Sequence, residues 1–257
     1  MITLIKPLLT ILKPLLIILL LGFNIGCTTL DGPANPDDPL ESFNRSMYSF
    51  NETLDEYAMK PIAEGYQAIT PDAVDTGITN FFSNLGDVLV LINDLLQLKF
   101  DQAIATSARI VFNSTFGLFG LMDVATDFGI PKHDEDFGQT LGYWGVGSGP
   151  YLVLPFFGPS NIRDGIGLAV DLSELDLIFD DMAAREAYSL LALKYIDKRA
   201  DLLKAKDIVD ETAPDPYAFI RDAWVQRRIN KVYDGNPPEE NESDLFEDDL
   251  FSDDLVR

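Results

Sequence analysis

The sequence predicts an all-α fold: a single helical domain with one irregular Gly/Pro-rich segment. Three observations carry this expectation. Apolar residues recur at helical spacing along most of the chain, beginning with Phe43, Met47, Phe50, Leu54 and Tyr57 at intervals of 4, 3, 4 and 3. No run of alternating apolar and polar residues is long enough to propose a sheet, and Tyr151 to Leu154 promises at most a short extended arm. The stretch from Gly138 to Gly165 holds seven Gly and three Pro, a density that excludes a long regular helix.

The N-terminus is an export signal. Lys6 and Lys13 precede an uninterrupted apolar run from Leu15 to Leu21, and Gly26 stands before Cys27. The run is too short to cross about 30 Å of hydrocarbon, which favours a cleaved signal over residues 1–26 against a retained anchor. Cys27 is the single cysteine, so an internal disulfide is excluded. A thiol at this place is set for diacylglyceryl attachment; its rival role, a catalytic nucleophile, would have only His133 as a base. Residues 27–39, rich in Pro, Asp and Gly, read as a lipidated flexible tether. The whole chain carries 19 Lys+Arg against 42 Asp+Glu, and loss of the signal removes two lysines and no acid. Such a surface repels nucleic acid and anionic headgroups, so membrane attachment has to rest on apolar burial and acylation.

The helical domain is expected over residues 40–233. Its first helix begins near Leu40, and Arg45, off the apolar stripe, is either a solvated charge or a pin to an acidic partner. Thr70-Pro71-Asp72 reads as N-cap, first helical position and first-turn acid, opening a helix that Asn84 to Asp87 should break. Val88 to Leu98 is apolar apart from a narrow strip of Asn93, Asp94 and Gln97. Another helix opens near Asp101. Ile110 to Met122 holds no charge across thirteen positions, enough for about 20 Å of helix, either buried or lying in the plane of a membrane. His133, with no second His and no metal-ligand spacing around it, reads as a surface residue. Ser160 is placed to cap a helix from Asn161, with Gly165 and Gly167 permitting close backbone approach. Met182 to Val209 reads as one long helix, Thr212 to Pro216 as its break, and Tyr217 to Tyr233 as a last amphipathic helix. Eight to ten helices result. Residues 234–257 carry ten acids against one base and read as a disordered tail, an inert solubiliser or a dock for a basic partner.

Catalytic signatures are missing: no GxSxG, phosphate loop, HExxH or Cys/His cluster occurs. The Ser148 of GVGSGP has no strand-turn-helix context and is followed by Gly149-Pro150. An enzyme is not expected, nor a cofactor or metal.

Three longer stretches together resemble the MlaA (VacJ) family of outer-membrane lipoproteins: Asp38 to Asn51 (DPLESFNRSMYSFN), Asp136 to Tyr151 (DFGQTLGYWGVGSGPY) and Leu152 to Gly165 (LVLPFFGPSNIRDG). Thr212 to Tyr217 is a weaker fourth. Ile25-Gly26-Cys27 likewise resembles a lipobox, departing from it at Asn24, and Thr28 is not the Asp that retains lipoproteins in the inner membrane. The resemblance implies a ring-like helical domain with in-plane amphipathic helices, anchored through Cys27 at the periplasmic face of the outer membrane. It implies removal of misplaced phospholipids from the outer leaflet through an amphipathic channel, delivery to a periplasmic lipid-carrier protein, and association with a trimeric porin. A scaffold for envelope complexes is the alternative, and a periplasmic lipid hydrolase a third class. On this reading Val88 to Leu98, Ile110 to Met122 and Tyr151 to Phe157 face lipid, and the polar strips of those helices line the passage. Gly142, Gly145, Gly147, Gly149, Pro150 and Tyr151 are the channel or gate candidates. Asn44, Arg45, Pro155, Gly158, Arg163 and Asp164 are family-motif residues expected to hold the structure.

Overall fold

A computed structural model describes residues 38–179 and 182–238. The expected signal peptide, Cys27 and most of the tether and acidic tail lie outside these residues.

The fold is mostly helical. The chain opens with α1 (Glu41–Leu54), a π-helical turn (Asp55–Met59) and α2 (Lys60–Ile69), which run on without interruption. The π turn has a local cause. Pro61 has no N–H to give to the carbonyl one turn earlier and its ring crowds that carbonyl, so the helix widens just before it, and Lys60 N–H reaches back to Asp55 O. Next come α3 (Asp72–Leu96) and α4 (Phe100–Thr115), a single-turn α5 (Val124–Asp127) and α6 (Phe137–Tyr143). Strands β1 (Tyr151–Leu154) and β2 (Gly158–Asn161) form an antiparallel hairpin in which Tyr151 faces Asn161 and Leu154 faces Gly158. Helices α7 (Ile162–Phe179), α8 (Ala184–Asp201), α9 (Leu203–Thr212) and α10 (Pro216–Val232) complete the chain.

Neighbouring elements close a circuit. The α1–α2 rod packs through α2 on α8, α8 touches α3, α3 touches α6, α6 lies along α7, and α7 meets β1, which returns to α1. Helix α4 flanks α3 outside this circuit, while α10 packs on α6 and β2. Among the described residues, no helix is long and apolar enough to cross a membrane.

Polarity is inverted relative to an ordinary globular protein. Of the largest fully buried side chains among the described residues, Val153 alone is apolar; the others include Arg109, Gln97, Gln139, Asn44, Asn93, Asp87 and Asp94. Outside, Phe119 is 81% exposed, with Phe116, Leu118, Phe128, Ile104 and Trp144 also in the open. Water-soluble folds seldom bury polar groups in preference to apolar ones.

Several local expectations are corrected by what these polar groups do. Asn84 to Asp87 does not break the helix; α3 runs through to Leu96. Space around Gly86 is open, and its neighbours are tied across to other elements: Asn84 Nδ2 donates to Ser114 Oγ (3.1 Å), and Asp87 accepts from Lys132 Nζ (2.6 Å). Thr70 does not cap α3, whose first amides, Val74 and Asp75, donate to Pro71 O. Ile110 to Met122 is not one helix. It leaves helical form after Thr115 and folds back on itself, with left-handed φ at Leu118, Phe119 and Gly120. Asn113 holds that reversal: its backbone carbonyl accepts from Gly120 N–H, its side-chain oxygen accepts from Ala125 N–H (2.8 Å), and its amide donates to Asp123 (3.0 Å). The expected single helix over Met182 to Val209 divides at Leu202 into α8 and α9. Asp38, expected in the tether, is buried, and Asp234, expected in the tail, closes the last turn of α10 with Gly235 and Asn236.

His133 is half-buried, not a free surface group. Its Nε2 lies 3.2 Å from both Asp94 oxygens and 3.1 Å from Thr106 Oγ1. Acid and hydroxyl therefore meet the same ring nitrogen, which is not the arrangement of a hydrolytic relay, where they occupy opposite nitrogens.

Arg109 is the centre of this polar interior. It gives two bonds to Asp123 (2.7 and 2.8 Å), others to Thr126 Oγ1 and Ile130 O, and lies 3.7 Å from Asp87. Burial raises the Asp123 pKa, but hydrogen bonds from Thr126, Arg109 and Asn113 outweigh it and bring it down to about 2. Asp87 goes the other way, because burial exceeds the help it receives from Lys132. Asp87 keeps Lys132, but Arg109→Met should leave Asp123 without its cation and cost about 3–5 kcal/mol. Denaturant titration in detergent checks this, and an unchanged midpoint would remove Arg109 from the centre of the fold.

Candidate functional site

A cavity of about 720 Å³ is walled by α1 and its π turn, the hairpin, α7, α8, α9 and α10. One part of its wall is apolar: Leu54, Met59, Leu154, Phe156, Phe157, Leu168 and Leu202. The other part is charged, and nearly all of it is paired. The π turn aims Asp55 at Arg199, which clasps it through Nε and Nη2 at 2.6 Å each. Glu52 takes Lys206 Nζ at 2.7 Å. Arg228 of α10 gives two 2.6 Å bonds to Asp136 and one of 2.9 Å to Asp164. Burial works against the Arg228 charge, but its hydrogen bonds to Asp136 and the nearby Asp164 prevail and hold its pKa above the ordinary value. Burial likewise opposes ionisation of Asp136, and Arg228 prevails there as well. The wall thus presents fixed dipoles and ion pairs beside an apolar shoulder.

Close backbone approach makes the Asp136–Arg228–Asp164 cluster possible. A Cβ at Gly138 would lie 2.5 Å from both Arg228 Nη2 and Asp164 Oδ1, and one at Gly167 would lie 2.4 Å from Gly138 N. The two glycines let α6 and α7 touch. Gly165, expected to share that role, has nothing nearer than 3.8 Å. Helix α7 is capped by Asn161, not Ser160: Asn161 Oδ1 accepts from Asp164 N–H at 2.7 Å.

The family-motif residues converge on the hairpin. Asn44 is fully buried; its amide donates to Asp38 (2.9 Å) and Tyr151 O (3.0 Å), and its oxygen accepts from Val153 N–H (2.9 Å). Two turns later Asn51 repeats the device at the tip, donating to Leu154 O (2.9 Å) and accepting from Phe156 N–H (2.8 Å). The tip itself runs from Pro155 to Gly158, with left-handed φ at Phe156 (68°) and Gly158 (78°). Arg45 is the pin and not a free charge. It grips Asp215 through both terminal nitrogens (3.2 and 2.7 Å), binds Glu41, and lies over the Tyr217 ring at 4.4 Å. The hydrogen bond to Asp215, opposed by burial, lifts the Arg45 pKa above its ordinary value. Tyr217 in turn donates to Asp38, and its hydroxyl pKa is pushed up by burial first and that carboxylate second. Asp164 accepts from Arg163 Nε at 2.9 Å, and the Arg163 amide donates to Ser148 O at 3.2 Å.

The channel candidates lie away from this cavity. None of Gly142, Gly145, Gly147, Gly149, Pro150 and Tyr151 lines the cavity. Tyr151 is buried against Tyr217 and Trp224, and Gly142 makes room for Arg163 and Val232. Gly145 and Gly149 supply left-handed turns in an exposed segment. The polar strips of α3 and α4 also miss the cavity: Gln97 donates to Glu135 and Thr140, and Thr140 donates to Asn93, all inside the protein. Of Tyr151 to Phe157, only the tip is outward, with Phe156 at 55% and Phe157 at 48% exposure. The cavity-lining cations of α8 to α10 carried no sequence signal beyond ordinary helical amphipathicity, and Asp55 depends on a π turn that periodicity does not reveal.

These features define a class: a helical protein with an apolar exterior, a polar interior and an amphipathic cavity. The model of the MlaA lipoprotein family matches residues 36–231. The chain is 34% identical to the intermembrane phospholipid transport system lipoprotein MlaA of Escherichia coli, over 84% of this chain and 90% of that one. It is 36% identical to an uncharacterized protein of Rickettsia bellii, over 80% and 81%. A solved structure described as the basis for maintenance of bacterial outer membrane lipid asymmetry superposes with a TM-score of 0.65 at 31% identity, covering 77% of this chain and 99% of the other. The chain belongs to the MlaA lipoprotein family.

Asn44→Ala would leave Tyr151 O and Val153 N–H buried without partners, at roughly 1–3 kcal/mol each. We expect a loss of about 2–4 kcal/mol in thermal or chemical unfolding; a smaller loss than that of an exposed Asn236→Ala control would contradict the assignment.

Proposed function

We propose that this lipoprotein withdraws phospholipids from the outer leaflet of the outer membrane and hands them to a periplasmic carrier, so maintaining lipid asymmetry. The observation that carries the reading is the amphipathic cavity inside a fold of inverted polarity. Moving a zwitterionic or anionic headgroup through hydrocarbon is the costly step in lipid transfer. A protein seated in lipid by an apolar exterior, with ion pairs along an internal wall, offers the headgroup a polar route while acyl chains follow the apolar shoulder. The lipid leaves chemically unchanged, so the reading calls for no catalytic group or cofactor. We further propose a diacylglyceryl anchor on Cys27 after cleavage of residues 1–26, a site at the periplasmic face, and a trimeric porin as membrane partner.

The exposed apolar groups suit residence in one leaflet. Leu118 and Phe119, forced outward by the left-handed turn after α4, and Trp144, whose Nε1 donates to Leu96 O at 3.1 Å, are of the kind that settle at an interface. In a mature chain made non-acylatable by Cys27→Ala, Leu118→Asp with Phe119→Asp should weaken binding to phosphatidylethanolamine/phosphatidylglycerol vesicles at least tenfold, about 1.4 kcal/mol. Equal co-flotation of both forms would argue against that face as the membrane seat.

We propose the exposed segment 144–150 as the gate. Deleting the gene should bring phospholipid into the outer leaflet, with detergent sensitivity, and the wild-type chain should reverse both. Gly147→Pro should restore them poorly while keeping its unfolding temperature. A deletion that leaves the outer leaflet unaltered favours the scaffold reading; full rescue by Gly147→Pro sinks the gate alone.

A further inference from the structure

Helix α8 puts Tyr195, Lys198, Arg199 and Leu202 on the cavity wall, the spacing of one helical stripe. Of the cations lining the cavity, Arg199, Lys206 and Arg228 are each held by carboxylates. Lys198 has no carboxylate partner among the described residues, and it is exposed to the cavity. One turn before it stands Lys194, half-buried and also without such a partner among those residues. Burial, and then the charge of Lys198, push the Lys194 pKa below its ordinary value.

This pair runs against the rest of the molecule. Like charges at i and i+4 repel, and a half-buried ammonium without an acid is unfavourable. The chain has 42 acids for 19 bases, so carboxylates are plentiful, yet none of the described ones is spent here. Arg199, on the same wall, keeps a buried Nη1 with no acceptor while its other nitrogens hold Asp55. The α8 wall is therefore rich in donors and poor in acceptors. The hairpin tip contributes Phe156 and Phe157 to the same cavity. Ammonium groups and aromatic apolar surface in one cavity match a phosphodiester joined to acyl chains.

We infer that Lys198, supported by Lys194, forms a subsite for the phosphodiester of a phospholipid headgroup. The inference rests on the lipid-transport reading and names the contact that the headgroup makes. Its chemistry selects for the phosphate common to glycerophospholipids and not for a particular alcohol, because the two lysines supply charge without a rigid hydrogen-bonding fork. Free inorganic phosphate shares that chemistry, and the test separates the two.

Binding is measured by calorimetry on the mature lipoprotein in non-ionic detergent. Three probes are used: dihexanoylphosphatidylglycerol below its micellar threshold, dihexanoylglycerol, which lacks the phosphate, and inorganic phosphate. The intact chain should bind the phospholipid more tightly than the other two. Lys198→Gln should weaken phospholipid binding about tenfold and Lys194→Gln/Lys198→Gln further, Lys198→Arg should retain it, and dihexanoylglycerol should bind every variant alike. Unaltered phospholipid affinity in the double variant overturns the subsite, as does an equal loss for dihexanoylglycerol, which would mean general damage to the cavity. Inorganic phosphate binding as tightly as the phospholipid overturns the lipid assignment. Failure here, with outer-leaflet phospholipid still accumulating on gene deletion, removes the subsite and leaves the transport reading standing. Intact lysine-dependent binding with no deletion phenotype does the reverse.

Discussion

The structure depends on keeping a polar interior fully bonded beneath an apolar exterior. A soluble protein with Arg109, Asp87, Asp94, Asn93, Gln97 and Glu135 buried would ordinarily give up stability to an apolar core of the same shape. Along α3, α4 and the turn that follows, the outside does not serve as a polar surface, because Leu96, Phe116, Leu118 and Phe119 occupy it. Ionic groups must therefore find partners within the protein, and the order of packing follows from those pairings. Helix α3 stays intact past Gly86 because Asp87, Asn93 and Asp94 are each anchored across to another element. The loop 128–136 lies where it does because it delivers Lys132 to Asp87, His133 to Asp94 and Glu135 to Gln97.

Hydrogen-bonding side chains also substitute for sheet partners. A two-stranded hairpin alone is marginal in water, and this one has no third strand. Asn44 and Asn51, two turns apart on α1, bond the backbone of β1 and its turn, acting as that third strand from a helix. Arg45, between them, locks α1 to the start of α10 through Asp215. The four sequence stretches that resemble the family are thus one assembly. Their spacing along the chain hides a single contact region that fixes the hairpin against the cavity.

Helix existence was legible, since periodicity reports which face is buried irrespective of what buries it. Boundaries failed where tertiary bonds overrode local signals: Gly86 inside α3, and the reversal after Thr115 that Asn113 imposes. The chain's apolar stretches did indicate exposed apolar surface, and their polar strips meet other parts of the protein, not this cavity. A polar strip on a helix says only that something polar meets it. For Asn93 and Gln97 that is Thr140 and Glu135, and the cavity wall comes instead from helices whose charges looked like ordinary solvated faces. Hydropathy cannot distinguish a solvated face from a face turned toward an internal wall, because both are polar for the same reason. His133 was misjudged on the same ground: its partners lie 27 and 39 residues away in the chain.

A transfer route must also avoid holding its cargo. Charges already matched, such as Arg199 with Asp55 and Arg228 with Asp136 and Asp164, present a headgroup with dipoles and little net attraction. A wall made wholly of free cations would bind a phosphate tightly and release it slowly, and a wholly apolar wall would not admit it. Paired charges set the middle course, solvating the headgroup at many points and trapping it at none. On the proposed reading Lys198, with Lys194 one turn behind it, is a single station in such a wall, strong enough to draw the phosphate in and lacking a second arm to keep it. The cavity's matched cations lie on α8, α9 and α10, while Lys198, which has no carboxylate partner among the described residues, lies on α8; on the proposed reading that asymmetry is the physical form the requirement takes in this chain.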